Sequence, residues 1–342
     1  MIKQFVPVLA NSSAFEKFVG LLEHTSEEPT NLLRVLTYHR VDKPNTFPWL
    51  DPGLISATPE VFEMQMKYLA ANYETVSVLD VIKAFEMEGR NVLPPRAVLV
   101  TFDDGYCDFK EHAWPILKQH QIPATLFVPT AFPNHPERSF WWDRLFHALH
   151  STSVSEFTSP LGRLSISTPA QRHQAYKLLK NHFKKVRHDL TIADVDQICR
   201  ELDVPSQGNI VLSWDSLRQL VDEGLTLGAH TRNHPIMNCI SLEELAVEVT
   251  GSLQDLTHQM GSSPLTFAYP SGIHNGAAVS IVELAGFQLA FTTQRGINEI
   301  DRADRFRLKR INVGARTTLP LLRAQLLTWS TPVYAWSNKF FD

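Results

Sequence analysis

Short apolar, β-branched runs recur along this chain, and amphipathic segments fill the intervals between them. The runs are RVLTYH (34–39), ETVSV (74–78), AVLVTF (97–102), ATLFVP (124–129), LTLGAH (225–230), LTFAYP (265–270), QLAFTT (288–293) and RLKRINV (307–313). Between them, residues 59–72, 107–120, 214–223, 241–260 and 276–286 read as helices. Leu242, Leu245, Val249 and Leu253, spaced by three and four, mark one helical face. Alternation of strand and helix implies parallel strands joined by crossover helices. Seven or eight such strands fit an α/β fold of the distorted (β/α) barrel kind.

Three stretches fall outside this rhythm. Residues 1–31 read as a short helix and a linker, and residues 316–342 as a helix followed by an aromatic-rich tail. Residues 133–210 show little strand pattern and read as a helical insertion within a barrel spanning 32–315. That insertion holds WWDRLFHALH (141–150) and the basic stretch HQAYKLLKNHFKKVRH (173–188). Trp141 and Trp142 are aromatics that could dock the insertion or meet a ligand, Asp143 is a candidate helix cap, and the basic stretch reads as a solvated face.

Composition narrows the class. With 44% apolar and 20% charged residues in 342, the chain can bury a substantial core. A net charge of -4 gives no basic field for nucleic acid. No apolar run approaches the roughly 20 residues that span a bilayer. The first residues make a poor secretory signal, so the expected location is cytoplasmic. Cys107, Cys199 and Cys239 have no paired spacing and read as buried free thiols.

The chemistry collects at strand ends, where (β/α) barrels build their sites. Asp103 and Asp104 follow AVLVTF directly, and Gly105 allows a sharp turn that brings both to the barrel mouth. Two adjacent carboxylates repel, and a divalent cation offsets that repulsion. His230 ends another strand, with His234 four residues on, and one helical turn would set both imidazoles on one side. With 14 histidines in the chain, that spacing arises by chance roughly 0.6 times, so it gains weight only from the strand before it and from the carboxylate pair. One carboxylate and two imidazoles with open positions are the donor set of a hydrolytic metal centre.

TFDDGY and HTRNHP, with YHRV upstream and FAYPSG downstream, resemble the polysaccharide deacetylase family, the NodB-type carbohydrate esterases. FAYP is similar to the branch of exopolysaccharide poly-N-acetylglucosamine deacetylases. The resemblance implies a metal-dependent hydrolase that removes N-acetyl groups from amino sugars of an oligo- or polysaccharide. It implies Asp104, His230 and His234 as metal ligands, with Zn2+ or another divalent ion as cofactor. It makes Asp103 the general base and the backbone N–H of Tyr106 an oxyanion donor. The alternatives are an O-acetyl esterase, a metal-independent amidohydrolase and a silent glycan-binding relative.

The sequence departs from the family pattern in four places. Ala268 stands where an arginine steadies the catalytic aspartate, and Ser271 where an aromatic follows the proline. The aromatic Asp/Trp motif after His234 and the late Leu-x-His motif are absent. Arg310 is a candidate for the missing arginine, and His39, closing the first strand, for the missing acid. Tyr269, Pro270 and Trp142 are candidate substrate contacts.

Overall fold

We describe a computed structural model of the chain, covering residues 12–25, 29–87, 92–205, 207–208 and 210–330. Seven strands form a closed, all-parallel barrel: β1 (Leu32–Tyr38), β2 (Ala97–Phe102), β3 (Ala124–Val128), β4 (Thr226–Ala229), β5 (Thr266–Ala268), β6 (Leu289–Arg295) and β7 (Leu308–Asn312). They lie around the barrel in chain order. β1 closes the ring by pairing with β2 through Arg34↔Val98 to Tyr38↔Phe102, and with β7 through Leu36↔Ile311.

The strands read clearly because both their faces are covered. Every residue of β2 is buried, as is usual for parallel strands under crossover helices. One face of β1 and β2 carries Leu33, Val35 and Leu99, which pack with Phe127, Phe291 and Leu308. The other carries Leu36, Val98 and Val100, which meet Phe62, Leu69, Leu117 and Leu220. Gly228 belongs to this packing: a Cβ there would stand 2.4 Å from the Phe127 ring.

The expected helices are present as Pro59–Asn72, Trp114–Gln119, Trp214–Asp222, Leu242–Met260 and Gly276–Leu284. Ser241 and Glu244 form a capping box at the start of the fourth, and Gly261, at φ 73°, ends it. The segment expected as one helix over 107–120 instead opens with a π-turn, Phe109–Ala113. ETVSV contributes only the short strand Glu74–Thr75 on the edge of β2, because Ser77 caps a new helix, Val78–Glu86.

The insertion holds three helices, Trp141–Ser151, Pro169–Phe183 and His188–Glu201, and a hairpin, Glu156–Ser159 with Gly162–Ser165. The hairpin escaped the pattern because only Phe157 and Ser159 of its eight strand residues are buried. Leu145, Leu149, Leu179, Phe183, Val195 and Ile198 give the insertion its own core, which reaches the barrel mouth through Tyr106, Trp142 and Val211.

Helix Ser13–Thr25 packs Val19 against Ala324 and Leu327, beside helix Leu319–Leu326. The aromatic tail beyond residue 330 lies outside the described residues. Among the described residues the three cysteines form no disulfide, and they are half-buried rather than fully buried. Among the described residues, no helix is long and apolar enough to cross a membrane.

Candidate active site

Strand alternation places the first aspartate. Thr101 and Asp103 are two apart, so their side chains share a face, and Arg310 of β7 reaches both. Its guanidinium meets the Asp103 carboxylate with two bonds, Nη1–Oδ1 at 2.8 Å and Nη2–Oδ2 at 2.7 Å. Its Nε donates to the Thr292 carbonyl at 2.7 Å, which fixes the fork. Arg310 is wholly buried and Asp103 is 3% exposed. Burial would raise the Asp103 carboxyl, but the charges of Arg310 and His230, with the Arg310 hydrogen bonds, hold it well below the usual carboxylate range.

Asp104 departs from the strand. Its φ is 75° and that of Gly105 is 71°, so the turn begins at the second aspartate itself, one residue before the glycine. The carboxylate swings away from Arg310 toward two imidazoles. Its Oδ1 lies 3.3 Å from His234 Nε2 and 3.6 Å from His230 Nε2.

His230 ends β4, and its Nδ1 lies 2.7 Å from the Ala268 carbonyl. A carbonyl accepts only, so Nδ1 carries the hydrogen and Nε2 turns its lone pair inward. Burial lowers the imidazole to about 4, against the pull of Asp103, which keeps the ring neutral at neutral pH.

His234 does not arrive by a helical turn, which corrects the sequence expectation. Residues 230–234 are irregular, with left-handed φ at Thr231 (63°) and His234 (56°). Glu248 pins this loop by accepting the N–H groups of Arg232 and Asn233, both at 2.8 Å, and Thr231 Oγ1 accepts from His234 N at 3.0 Å. Left-handed non-glycine residues cost on the order of 1–3 kcal/mol each. Three of them, Asp104, Thr231 and His234, stand at this one place.

Asp104, His230 and His234 each offer a ligand atom, all within 4.8 Å of one another. Asp104 Oδ1 and His234 Nδ1 are buried with no hydrogen-bond partner among the described residues. A carboxylate oxygen stripped of water and hydrogen bonds, facing two imidazole nitrogens, is a costly arrangement that a cation satisfies. One oxygen and two nitrogens suit zinc or a similar divalent ion.

The other candidates divide. His39 follows β1, half-buried, with its N–H on Ser56 Oγ at 2.9 Å. It lies within electrostatic reach of both aspartates. The Tyr106 N–H donates to no backbone carbonyl among the described residues; its neighbours make the bonds of the local bridge, Cys107 N to Ile210 O and Leu212 N to Gly105 O, each 2.9 Å. Trp142 is 6% exposed, stacked on Phe140 at 4.5 Å, with its centroid 4.8 Å from that of His234. It packs the insertion against a site histidine, and with Phe140, Trp141 and Asn233 it lines a cavity of about 410 Å³ beside it. Tyr269 and Pro270 are buried. The Tyr269 ring lies against Phe267 and His274 and its hydroxyl donates to the Phe306 carbonyl at 3.0 Å.

Asp143 is no cap of its own helix. It is buried, accepts Tyr106 Oη–H at 2.6 Å and Asp51 N–H at 3.1 Å, and burial pushes its carboxyl up to about 7. Behind the turn, Arg40 bridges Asp42 and Asp108, each at 2.7 Å. Sequence reasoning assigned no role to Arg40, Asp108, Asp51 or Glu248. Arg40 sits inside YHRV and Asp108 two residues after TFDDGY, whereas Asp51 and Glu248 carry no local signal.

A seven-stranded barrel with a one-carboxylate, two-imidazole cluster at its strand ends defines a class, and the comparisons agree with it. The family model for polysaccharide deacetylase matches residues 90–290, and the chain belongs to this family. It is similar to the poly-beta-1,6-N-acetyl-D-glucosamine N-deacetylase of Staphylococcus aureus, with 28% identity over 167 residues. That match covers 46% of this chain and 53% of the relative, so the likeness spans about half the relative's length. Among solved structures, the Streptococcus pyogenes deacetylase PplD, in complex with acetate, aligns over 87% of this chain and 100% of its own, with TM-score 0.59 and 20% identity. IcaB from Ammonifex degensii aligns over 87% and 98%, with TM-score 0.58 and 21% identity. These two likenesses carry the fold. His39 and Arg310 lie outside the stretch that the family model matches.

Proposed function

We propose that this protein is a metal-dependent N-deacetylase of amino sugars in an oligo- or polysaccharide. The observation that carries the reading is the unpartnered Asp104 Oδ1 between His230 and His234, set beside an aspartate that Arg310 keeps ionised. The family membership and the poly-N-acetylglucosamine deacetylase relative support it.

Asp104, His230 and His234 would hold the ion, for which zinc is the best fit. A divalent ion there supplies the charge that acidifies a water and polarises the acetamide carbonyl. Asp103, ionised at neutral pH, accepts the proton of the attacking water, and Arg310 holds its carboxylate in one orientation. The free N–H of Tyr106 is a fixed donor for the oxyanion that develops on the carbonyl oxygen. When the C–N bond breaks, the departing nitrogen needs a proton, because an amide anion is too poor a leaving group. His39 delivers it. The products are acetate and a free amino sugar.

The test is acetate release from N-acetylglucosamine oligomers and from O-acetylated sugars, with and without chelator. Chelator-sensitive release from the amides, restored by zinc, is expected. Release from esters alone would replace this reading with an O-acetyl esterase, and no release from a metal-loaded chain would overturn both.

A further inference from the structure

The insertion carries a dense row of cations that the deacetylase chemistry does not use. Between residues 172 and 188 the chain has Arg172, Lys177, Lys180, Lys184, Lys185 and Arg187 and no acidic residue. Three of them are satisfied within the protein. Lys180 contacts Asp51 at 2.6 Å, Arg187 pairs with Asp189 at 3.1 Å, and Arg172 donates to the Leu149 carbonyl at 3.0 Å. Lys177 and Lys185 are exposed. Lys184 differs from both groups, being half-buried and without an ion pair among the described residues.

Its backbone is tied to the segment that follows His234. Lys184 caps the helix Pro169–Phe183, and its carbonyl accepts from Cys239 Sγ at 3.8 Å, in the segment that follows His234. The preceding Phe183 packs on Trp141 at 5.8 Å, Trp141 on Trp142 at 5.5 Å, and Trp142 on His234 at 4.8 Å. This corner of the insertion is therefore tied to the site by a continuous train of rings.

The carboxylates whose charges favour the Lys184 ammonium are Asp104 and Asp51, while burial and Lys180 disfavour it. Neither carboxylate is available as a partner. Asp51 already accepts Tyr176, Lys180 and the Gly53 N–H. Asp104 faces the two imidazoles, and an ion held there would add positive charge nearby. A partly desolvated cation without a counter-charge costs free energy, and a ligand that brings an anion recovers it.

We propose that Lys184 is a specificity residue that receives an anionic substituent, a carboxylate or a phosphate, on the N-acetylated glycan beside the acetamide to be cleaved. The glycan in this inference rests on the deacetylase reading; the preference for an anion rests on the lysine.

The experiment uses the zinc-loaded full chain and three N-acetylglucosamine oligomers of equal length: neutral, bearing a uronate, and bearing a phosphate ester. Acetate release is expected with a kcat/KM about tenfold higher on at least one charged oligomer, carried by KM, as for one charge-assisted contact. The two charged arms tell carboxylate from phosphate. Lys184→Gln should bring the charged-to-neutral ratio near one, and Lys184→Arg should keep it. A wild-type ratio of one, or a ratio that survives Lys184→Gln, overturns the proposal. Calorimetric binding of the same oligomers to the zinc-loaded Asp103→Asn chain separates the two readings. If nothing is deacetylated, the enzymatic reading fails, yet tighter binding of a charged oligomer, lost on adding Lys184→Gln, still supports the lysine's role. Equal binding of all three overturns it.

Discussion

Replacing Arg310 tests the buried half of the site. Arg310 makes two charge-assisted bonds to Asp103, at 2.8 and 2.7 Å, with 0% and 3% of the two side chains exposed. Removing one partner of such a pair leaves an uncompensated buried charge, at about 3–5 kcal/mol. That is a large part of the roughly 5–15 kcal/mol that holds a domain folded, so Arg310→Met is paired with the milder Arg310→Lys. Lysine keeps the charge but loses the fork, and should cost about 1–3 kcal/mol, the worth of one charged hydrogen bond. The pH dependence fixes the sign. Asp103 is held below its unfolded value near 3.9, so its stabilisation is complete above that value and is lost as pH falls through the folded one. In Arg310→Met the opposing burial dominates, the folded carboxyl rises above its unfolded value, and stability drops as pH climbs from about 4. The gap between wild type and variant must therefore widen with pH until the variant's carboxyl has ionised. Urea unfolding at a series of pH values measures the gap, and the acid limb of kcat/KM should move upward by about one unit or more. A gap that stays constant between pH 4 and 7, with an unmoved acid limb, would refute the claim that Arg310 sets the ionisation of Asp103.

The remaining predictions concern the other groups. His230→Ala, His234→Ala and Asp104→Asn should each lose bound divalent ion by elemental analysis, and full stoichiometry in all three would remove the ligand assignment. Asp103→Asn should keep the ion and lose turnover by about 10²–10⁴-fold, so metal content and kcat are read on one preparation. His39→Ala should keep the ion and lose amide hydrolysis while sparing an activated aryl ester, whose leaving group needs little proton; equal losses on both substrates would assign His39 to positioning. Burial raises Asp143 to about 7, so it binds a proton in the folded state that the unfolded state releases above roughly 3.9. Wild-type stability relative to Asp143→Asn should thus fall as pH rises from about 4 to about 7, and melting curves of equal pH slope for the two chains would exclude this titration.

How much of this was legible in the chain differs by element. AVLVTF and ATLFVP announced β2 and β3 because strands buried on both faces leave no polar interruption. The strand ends followed, and with them Asp103, Asp104 and His230. The path from His230 to His234 did not follow. Its left-handed residues depend on Glu248, which reaches back from the following helix, Leu242–Met260, and spacing alone could suggest only a helical turn. Tyr269 looked like a strand-end ligand contact, yet the carbonyl that captures its hydroxyl belongs to Phe306. Asp143 had the local look of a cap, and its true partners, Tyr106 and Asp51, come from two separate loops. Side-chain type and strand position are local properties, whereas the direction of a loop and the partner of a buried acid are tertiary ones.

The adjacent aspartates show why chain proximity and shared environment separate at a strand end. Two neighbouring carboxylates, both nearly solvent-free, should raise one another's pKa and leave one protonated. Both are instead held low. Strand alternation delivers Asp103 to Arg310, a cation that cannot be released, and the left-handed step at Asp104 delivers the second carboxylate to two imidazoles. A single backbone dihedral thus assigns each acid its own positive partner. Asp103 is locked in a fork that leaves it ionised and oriented, as the proposed proton acceptor would need to be. Asp104 keeps Oδ1 without a hydrogen-bond partner among the described residues, open to the proposed ion. Glycine at 104 would adopt that dihedral more easily but would offer no carboxylate to the proposed ion, and the turn instead carries its strain at the aspartate, with the glycine one residue later.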